Sequence, residues 1–169
     1  MKINLKIIFV FTAVVLMSVS CSKKYTEDEL KQIISETDKK LNNLAGQQYE
    51  WGSKKAYSTV MAYYPEDDII FLNENLKYRK RGQAFNLYYF KDGNLFRFIG
   101  KKLIYKKENK KRFSKELIHI NMFLQPDGEL VSYEKTINFN DSKLTDDELN
   151  EILNHAEELY KLVGDQPSD

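Results

Sequence analysis

Two stripes of helix-period hydrophobicity bracket a long aromatic stretch of period two, and this change of period constrains the fold more than any other feature. Leu30, Ile33, Ile34, Thr37, Leu41 and Leu44 recur at helical spacing after Thr26-x-x-Glu29. That spacing is a capping box: the threonine oxygen accepts an orphan helix N–H and the glutamate reaches back to the threonine N–H. Tyr25 and Leu30 flank it as a hydrophobic staple, and Gly46 is the expected C-terminal stop. The device recurs near the other end. Leu144, Thr145, Glu148 and Leu149 open a stripe of Leu149, Ile152, Leu153, Ala156, Leu159, Tyr160 and Val163, which Gly164 closes.

Between the helices the expected strands cover 57–64, 69–72, 76–90, 95–105, 113–124 and 129–139. Pro65-Glu66-Asp67-Asp68 and Asn73-Glu74-Asn75 read as loops. Asp92-Gly93 favours the positive φ of a tight hairpin, and Gln125-Pro126-Asp127-Gly128 combines a proline-fixed φ with a glycine at the left-handed position. Gly82, inside the long run 76–90, marks a bulge or a bend. Links this short join antiparallel neighbours, since parallel strands need long crossovers. The expected fold class is α+β: an antiparallel meander of about 5–6 strands flanked by the two amphipathic helices, both packed on one sheet face. Tyr88 and Phe90 are expected on one side and Tyr89 on the other, with Phe96 and Phe98 sharing a face with Gly100 and Lys102. No internal repeat occurs.

The N-terminus is an address. Lys2 and Lys6 precede a nearly unbroken apolar run over 7–19, and Ser18, Val19 and Ser20 lead into Cys21, the single cysteine of the chain. Charge, apolar run, small residues and a cleavage point are the parts of a secretory signal. The segment resembles the signal peptide of bacterial lipoproteins. Ser20 meets that family's small-residue requirement, while Ser18 stands where the family prefers leucine. The resemblance implies that Cys21 is acylated and becomes the mature N-terminus. Ser22, where the bacterial sorting rule reserves aspartate for inner-membrane retention, leans toward the outer membrane. Two plainer readings are a cleaved signal that leaves an ordinary thiol and a retained anchor helix, the latter shorter than the roughly 20 apolar residues a span requires. All three put the domain outside the cytoplasm. The expected organisation is therefore a signal peptide at 1–20, a lipid-anchor cysteine with a short tether at 21–25, one α+β domain at 26–164 and a polar tail at 165–169. A domain of this size stabilises itself by its core without disulfides.

The formal net charge is +1, yet the charges are segregated. Between Lys77 and Lys115 stand fourteen Lys and Arg against two acids, and from Glu116 onward three lysines against thirteen acids. The basic groups gather at Lys77, Arg79, Lys80 and Arg81 and again around an apparent hairpin tip with Lys106, Lys107, Lys110, Lys111 and Arg112. That tip is the candidate contact for anionic headgroups or an acidic envelope protein. The plain alternative is that these lysines solvate strands and protect sheet edges, or are neutralised by the acidic helices. Nucleic acid is not an expected partner outside the cytoplasm.

Catalytic patterns are lacking. The two histidines, His119 and His155, have no ligand-spaced companions, so no metal and no cofactor is expected, and structural roles suit both. Ser114 and His119, five apart on one strand, point to opposite faces. No G-x-S-x-G elbow occurs. Asp67-Asp68 and Asp146-Asp147 suit a turn and a helix start. The expectation is a lipid-anchored envelope binding or structural module that is not an enzyme and that contacts an anionic or protein partner. An inhibitor or immunity-type lipoprotein directed at a toxin, phage component or lytic enzyme is the second class.

Overall fold

The computed structural model describes residues 23–66, 68–107 and 113–164, with only the backbone of Lys107 and Phe113. The signal at 1–20, Cys21 and the tail at 165–169 lie outside the described residues. Helix α1 (Glu27–Leu41) leads into eight strands. These are β1 (Gln47–Gly52), β2 (Tyr57–Tyr63), β3 (Phe71–Lys77), β4 (Gly82–Lys91), β5 (Asn94–Lys107), β6 (Phe113–Leu124), β7 (Leu130–Ile137) and β8 (Asn140–Asp141). Helix α2 (Asp146–Gly164) closes the chain of elements. The strands form one open sheet in the order β1 to β8, every neighbouring pair antiparallel.

The α+β meander is as expected, but the sheet has eight strands instead of 5–6. Strand β1 is a short polar edge strand in which only Tyr49 and the half-buried Trp51 turn inward, so its alternation spans just two residues. Strand β8 is two residues long. The expected run 76–90 is divided between β3 and β4 by the turn at Tyr78–Arg81, where Arg79 has φ 44°. Asn73-Glu74-Asn75 is not a loop; it is the middle of β3, paired with β2 and β4 on both sides.

Both capping boxes are formed. Glu29 N–H donates to Thr26 Oγ1 at 3.3 Å and Thr26 N–H to Glu29 Oε2 at 2.8 Å. The corresponding distances for Thr145 and Glu148 are 3.3 and 2.9 Å. Helix α1 ends at Leu41 with Asn42 as its cap, about a turn before Gly46. Gly46 has a different task, since a Cβ there would lie 2.8 Å from the ring of Tyr63.

The helices do not share a face. Leu30 and Ile34 of α1 pack with Phe71, Tyr89, Phe96 and Phe123. Ala156, Leu159 and Val163 of α2 pack with Leu72, Tyr88, Phe90, Phe98 and Met122. Adjacent residues Phe71/Leu72, Tyr88/Tyr89 and Met122/Phe123 thus enter different clusters, so the helices cover opposite sides. The cause is compositional: central strands apolar on both faces need both faces covered. That cover buries the aromatic hairpin, and Tyr88, Tyr89, Phe90, Phe96 and Phe98 are all at most 7% exposed.

A bulge corrects one further expectation. Tyr88 pairs with Phe98 and Tyr89 with Arg97, but Phe90 pairs with Leu95. Phe96 is the extra residue, and one unmatched residue reverses the alternation. Phe96 therefore joins the α1 cluster while Phe98 joins the α2 cluster. The Asp92-Gly93 hairpin has the expected positive φ values, 51° and 77°. No helix among the described residues is long and apolar enough to cross a membrane.

Candidate functional site

Glu74 is the one fully buried carboxylate in the described core. It points from β3 toward α2 and gathers donors from four other elements. Ser58 Oγ on β2 donates to Oε1 at 2.8 Å, and Trp51 Nε1 on β1 donates to the same oxygen at 3.3 Å. Asn86 Nδ2 and Tyr88 OH on β4 donate to Oε2 at 2.9 and 3.0 Å. His155 Nε2, on α2, lies 3.1 and 3.0 Å from the two oxygens. A carboxylate stripped of water is tolerated only when hydrogen-bonded and paired in this way. No buried side-chain polar atom among the described residues lacks a partner.

This network forms the back of a cleft of about 440 Å³ between α2 and the sheet. Leu76, Ala84, Phe98, Ile118 and Ile120 make an apolar floor. Small side chains give it depth, and Gly100 is required there because a Cβ would lie 2.6 Å from the Phe98 ring. Helix α2 forms the wall with Glu151, Ile152, Asn154, His155 and Glu158. His155 is 23% exposed at its side chain, with the Trp51 ring edge-on at 5.6 Å and Tyr88 at 6.3 Å. Tyr78 and Lys102 stand at the mouth, the ammonium 5.2 Å from the ring centre. An apolar concavity with a few convergent polar groups is the usual form of a small-ligand site.

The protonation of the pair follows from competing effects. Burial pushes the Glu74 carboxyl up, but His155, Asn86 and Ser58 outweigh it and hold it below its ordinary 4.5. Burial pushes His155 down, and Glu74, with smaller help from Glu158 and Glu151, holds it above its ordinary 6.5. Between pH 4.5 and 6.5 the pair is therefore imidazolium and carboxylate. The stabilisation from His155 is complete below pH 6.5 and is lost as pH rises through its raised folded value. That from Glu74 is present above pH 4.5 and is lost as pH falls through its lowered folded value. Urea unfolding from pH 5 to 9 is therefore expected to show stability declining on the alkaline side. In His155→Gln that alkaline decline should be reduced, and an identical decline in both proteins would exclude His155 as its source.

The residues expected to form a basic contact are placed only in part. Lys106 is exposed and bonded to Glu116 at 2.6 Å, so it is neutralised within the sheet. The side chain of Lys107, and Lys110, Lys111 and Arg112, lie outside the described residues. The turn holding Arg79, Lys80 and Arg81 docks beside Lys106, because Tyr105 N–H donates to Arg81 O at 2.8 Å and Gly82 pairs with Ile104. The Arg79–Arg81 turn and Lys106, distant in sequence, thus lie together at one end of the sheet. The chain enters the domain at the other end. Tyr25 N–H donates to Gln125 Oε1 at 2.8 Å, Gln125 Nε2 donates back to Tyr25 O at 2.7 Å, and Tyr25 lines a small hollow together with Asp92, Asn94 and Pro126. Strand β5 runs from one end to the other, roughly 40 Å at about 3.3 Å per residue.

His119 lies in β6 between Lys101 and Thr136, on the α1 side of the sheet, and Ser114 falls on the opposite side of the strand. Among the described residues no group of three His, Cys, Asp or Glu is arranged to hold a metal. Sequence reasoning placed Glu74 in a loop and gave His155 only a structural role. Its one available signal was an acid within a run otherwise able to pair as a strand. Against known proteins, the chain matches no family model, no curated protein and no solved structure.

Proposed function

We propose that this protein is a lipid-anchored binding module of the cell envelope, which captures a small ligand in the cleft between α2 and the sheet and does no chemistry on it. The observation that carries the reading is the cleft itself: about 440 Å³ of apolar-floored space backed by a saturated Glu74 network. That network spans α2 and four strands, so it holds the cavity in shape before any ligand arrives, which lowers the ordering cost of binding. His155 supports a non-catalytic role. Its Nε2 lies 3.1 and 3.0 Å from the two Glu74 oxygens, so that nitrogen is already engaged within the protein.

Cys21 supplies the anchor. Only three residues separate it from Tyr25, whose backbone Gln125 clamps, so the acyl chains and the clamped end of the domain stay within about 14 Å of each other. The basic end then lies roughly 40 Å along β5 from that point. A domain standing on its tether turns this end away from the bilayer, toward an anionic or protein partner.

Native mass spectrometry of the full chain, extracted from its own envelope in mild detergent, tests both parts. The expected species is an acylated chain beginning at Cys21 with a small noncovalent adduct. The adduct is expected to be lost from Ala56→Phe and Ala84→Leu, two changes that fill the cleft. An intact methionine start or an unmodified thiol would remove the anchor, and a bare protein in every preparation would remove the ligand.

A further inference from the structure

The rim of the cleft is acidic while its floor is aromatic and aliphatic. We infer that its ligand is an organic cation, a primary or quaternary ammonium carried on an apolar body. This rests on the cleft being the ligand site proposed above and adds the class of molecule it takes.

Four carboxylates line the cavity or its back, and they are not equivalent. Glu74 is matched by His155, and Glu148 is matched by Lys135, whose ammonium lies 2.6 Å away. Glu151 and Glu158, at i−4 and i+3 from His155 on α2, are exposed and form no ion pair among the described residues. Opposite them the sheet contributes a single ammonium, that of Lys102. The uncompensated charge of the cleft is therefore negative, which favours a cationic occupant and opposes an anionic one.

The aromatic side chains point the same way. Lys102 already rests its ammonium over the Tyr78 ring at 5.2 Å, so the mouth of the cleft holds a cation on a ring face within the protein itself. Trp51, the best ring for such a contact, lines the same cavity. Burial is the main reason the Tyr78 hydroxyl is pushed up to about 12, and the charges of Glu74 and Glu151 add to it. A ligand ammonium between these rings and the two free carboxylates would be met by both, while its apolar body covers Leu76, Ala84 and Ile118. A carboxylate or phosphate placed there would face Glu151 and Glu158, with Lys102 in its favour and His155 already paired with Glu74.

Trp51 is the single tryptophan of the chain, so its emission reports the cleft directly. Four probes with one alkyl chain separate charge from apolar contact: hexylammonium, hexyltrimethylammonium, hexanol and hexanoate. The expected result is a saturable change in Trp51 emission with both ammonium ions, about tenfold tighter than with hexanol, and weakest binding of hexanoate. In Glu151→Gln/Glu158→Gln the ammonium affinity should fall to that of hexanol, with the melting temperature kept near that of the parent. Hexanol or hexanoate binding as tightly as the ammonium ions would overturn the cationic class and leave the cleft as a binding site. No saturable response to any probe, together with bare protein in the native mass measurement, would overturn the site itself.

Discussion

Glu74→Ala is expected to lower the unfolding free energy by about 3–5 kcal/mol, the range for removing one partner of a buried charged pair. The loss is large because it is shared. Ser58, Asn86, Tyr88 and Trp51 would each keep a donor turned toward an empty space, and His155 would keep a charge with no counter-ion. Each unmet buried donor carries a desolvation penalty of about 1–3 kcal/mol if water does not replace the carboxylate. Urea denaturation near pH 6, where both charges are established in the parent, gives the comparison. Glu74→Gln should cost less, since it keeps an acceptor oxygen and the side-chain volume. A loss below about 1 kcal/mol for Glu74→Ala would show that entering water satisfies the donors, and the network would then not be what joins α2 to the sheet. The Trp51 emission should shift to the red in the same variant, since one of its hydrogen-bond partners and part of its cover are removed.

Gly82→Ala is the second large effect, and its origin is backbone geometry. Gly82 has φ 142°, a conformation closed to side chains, and a Cβ there would lie 2.0 Å from Leu103 O and 3.1 Å from Ile104 Cα. Both obstacles are backbone of the neighbouring strand, so relief requires opening the β4–β5 ladder at the point where Gly82 pairs with Ile104. Strain and overpacking together are expected to cost about 2–5 kcal/mol. Gly93→Ala is the matched control. Its φ of 77° is also positive, but the nearest atom to the new Cβ is the Tyr160 hydroxyl at 3.7 Å, so only the conformational cost of about 1–2 kcal/mol applies. Equal losses in the two variants would mean that the close approach at Gly82 contributes nothing. Because Tyr78 N–H donates to Gly82 O and Tyr105 N–H to Arg81 O, Gly82→Ala should also loosen the basic turn from β5.

The parts of this fold that could be read in advance are those encoded over a few residues. Each helix start is written in four residues, Thr26 to Glu29 and Thr145 to Glu148, and both caps are found closed. The same holds for the Asp92-Gly93 hairpin and the turn at Gly128, whose φ is 84°. Strand β3 shows where local reading ends. Asn73, Glu74 and Asn75 are residue types depleted in strands. They pair nonetheless, because apolar Phe71, Leu72 and Leu76 anchor the strand around them and distant donors satisfy the acid in their midst. The bulge at Phe96 is a second case. No residue type marks it, and its effect is to send one ring to each helix.

The chain by itself determined two capped helices, an antiparallel meander between them and the segregation of its charges, since periodicity, capping and turn chemistry act between near neighbours. Only the tertiary structure decided that the helices cover opposite faces, that the basic end lies away from the chain entry, and that His155 meets Glu74 across 81 residues. The physical reason is the same in each case. These are contacts between elements, set by which face of each strand is covered and by the demand that a buried charge find every one of its partners.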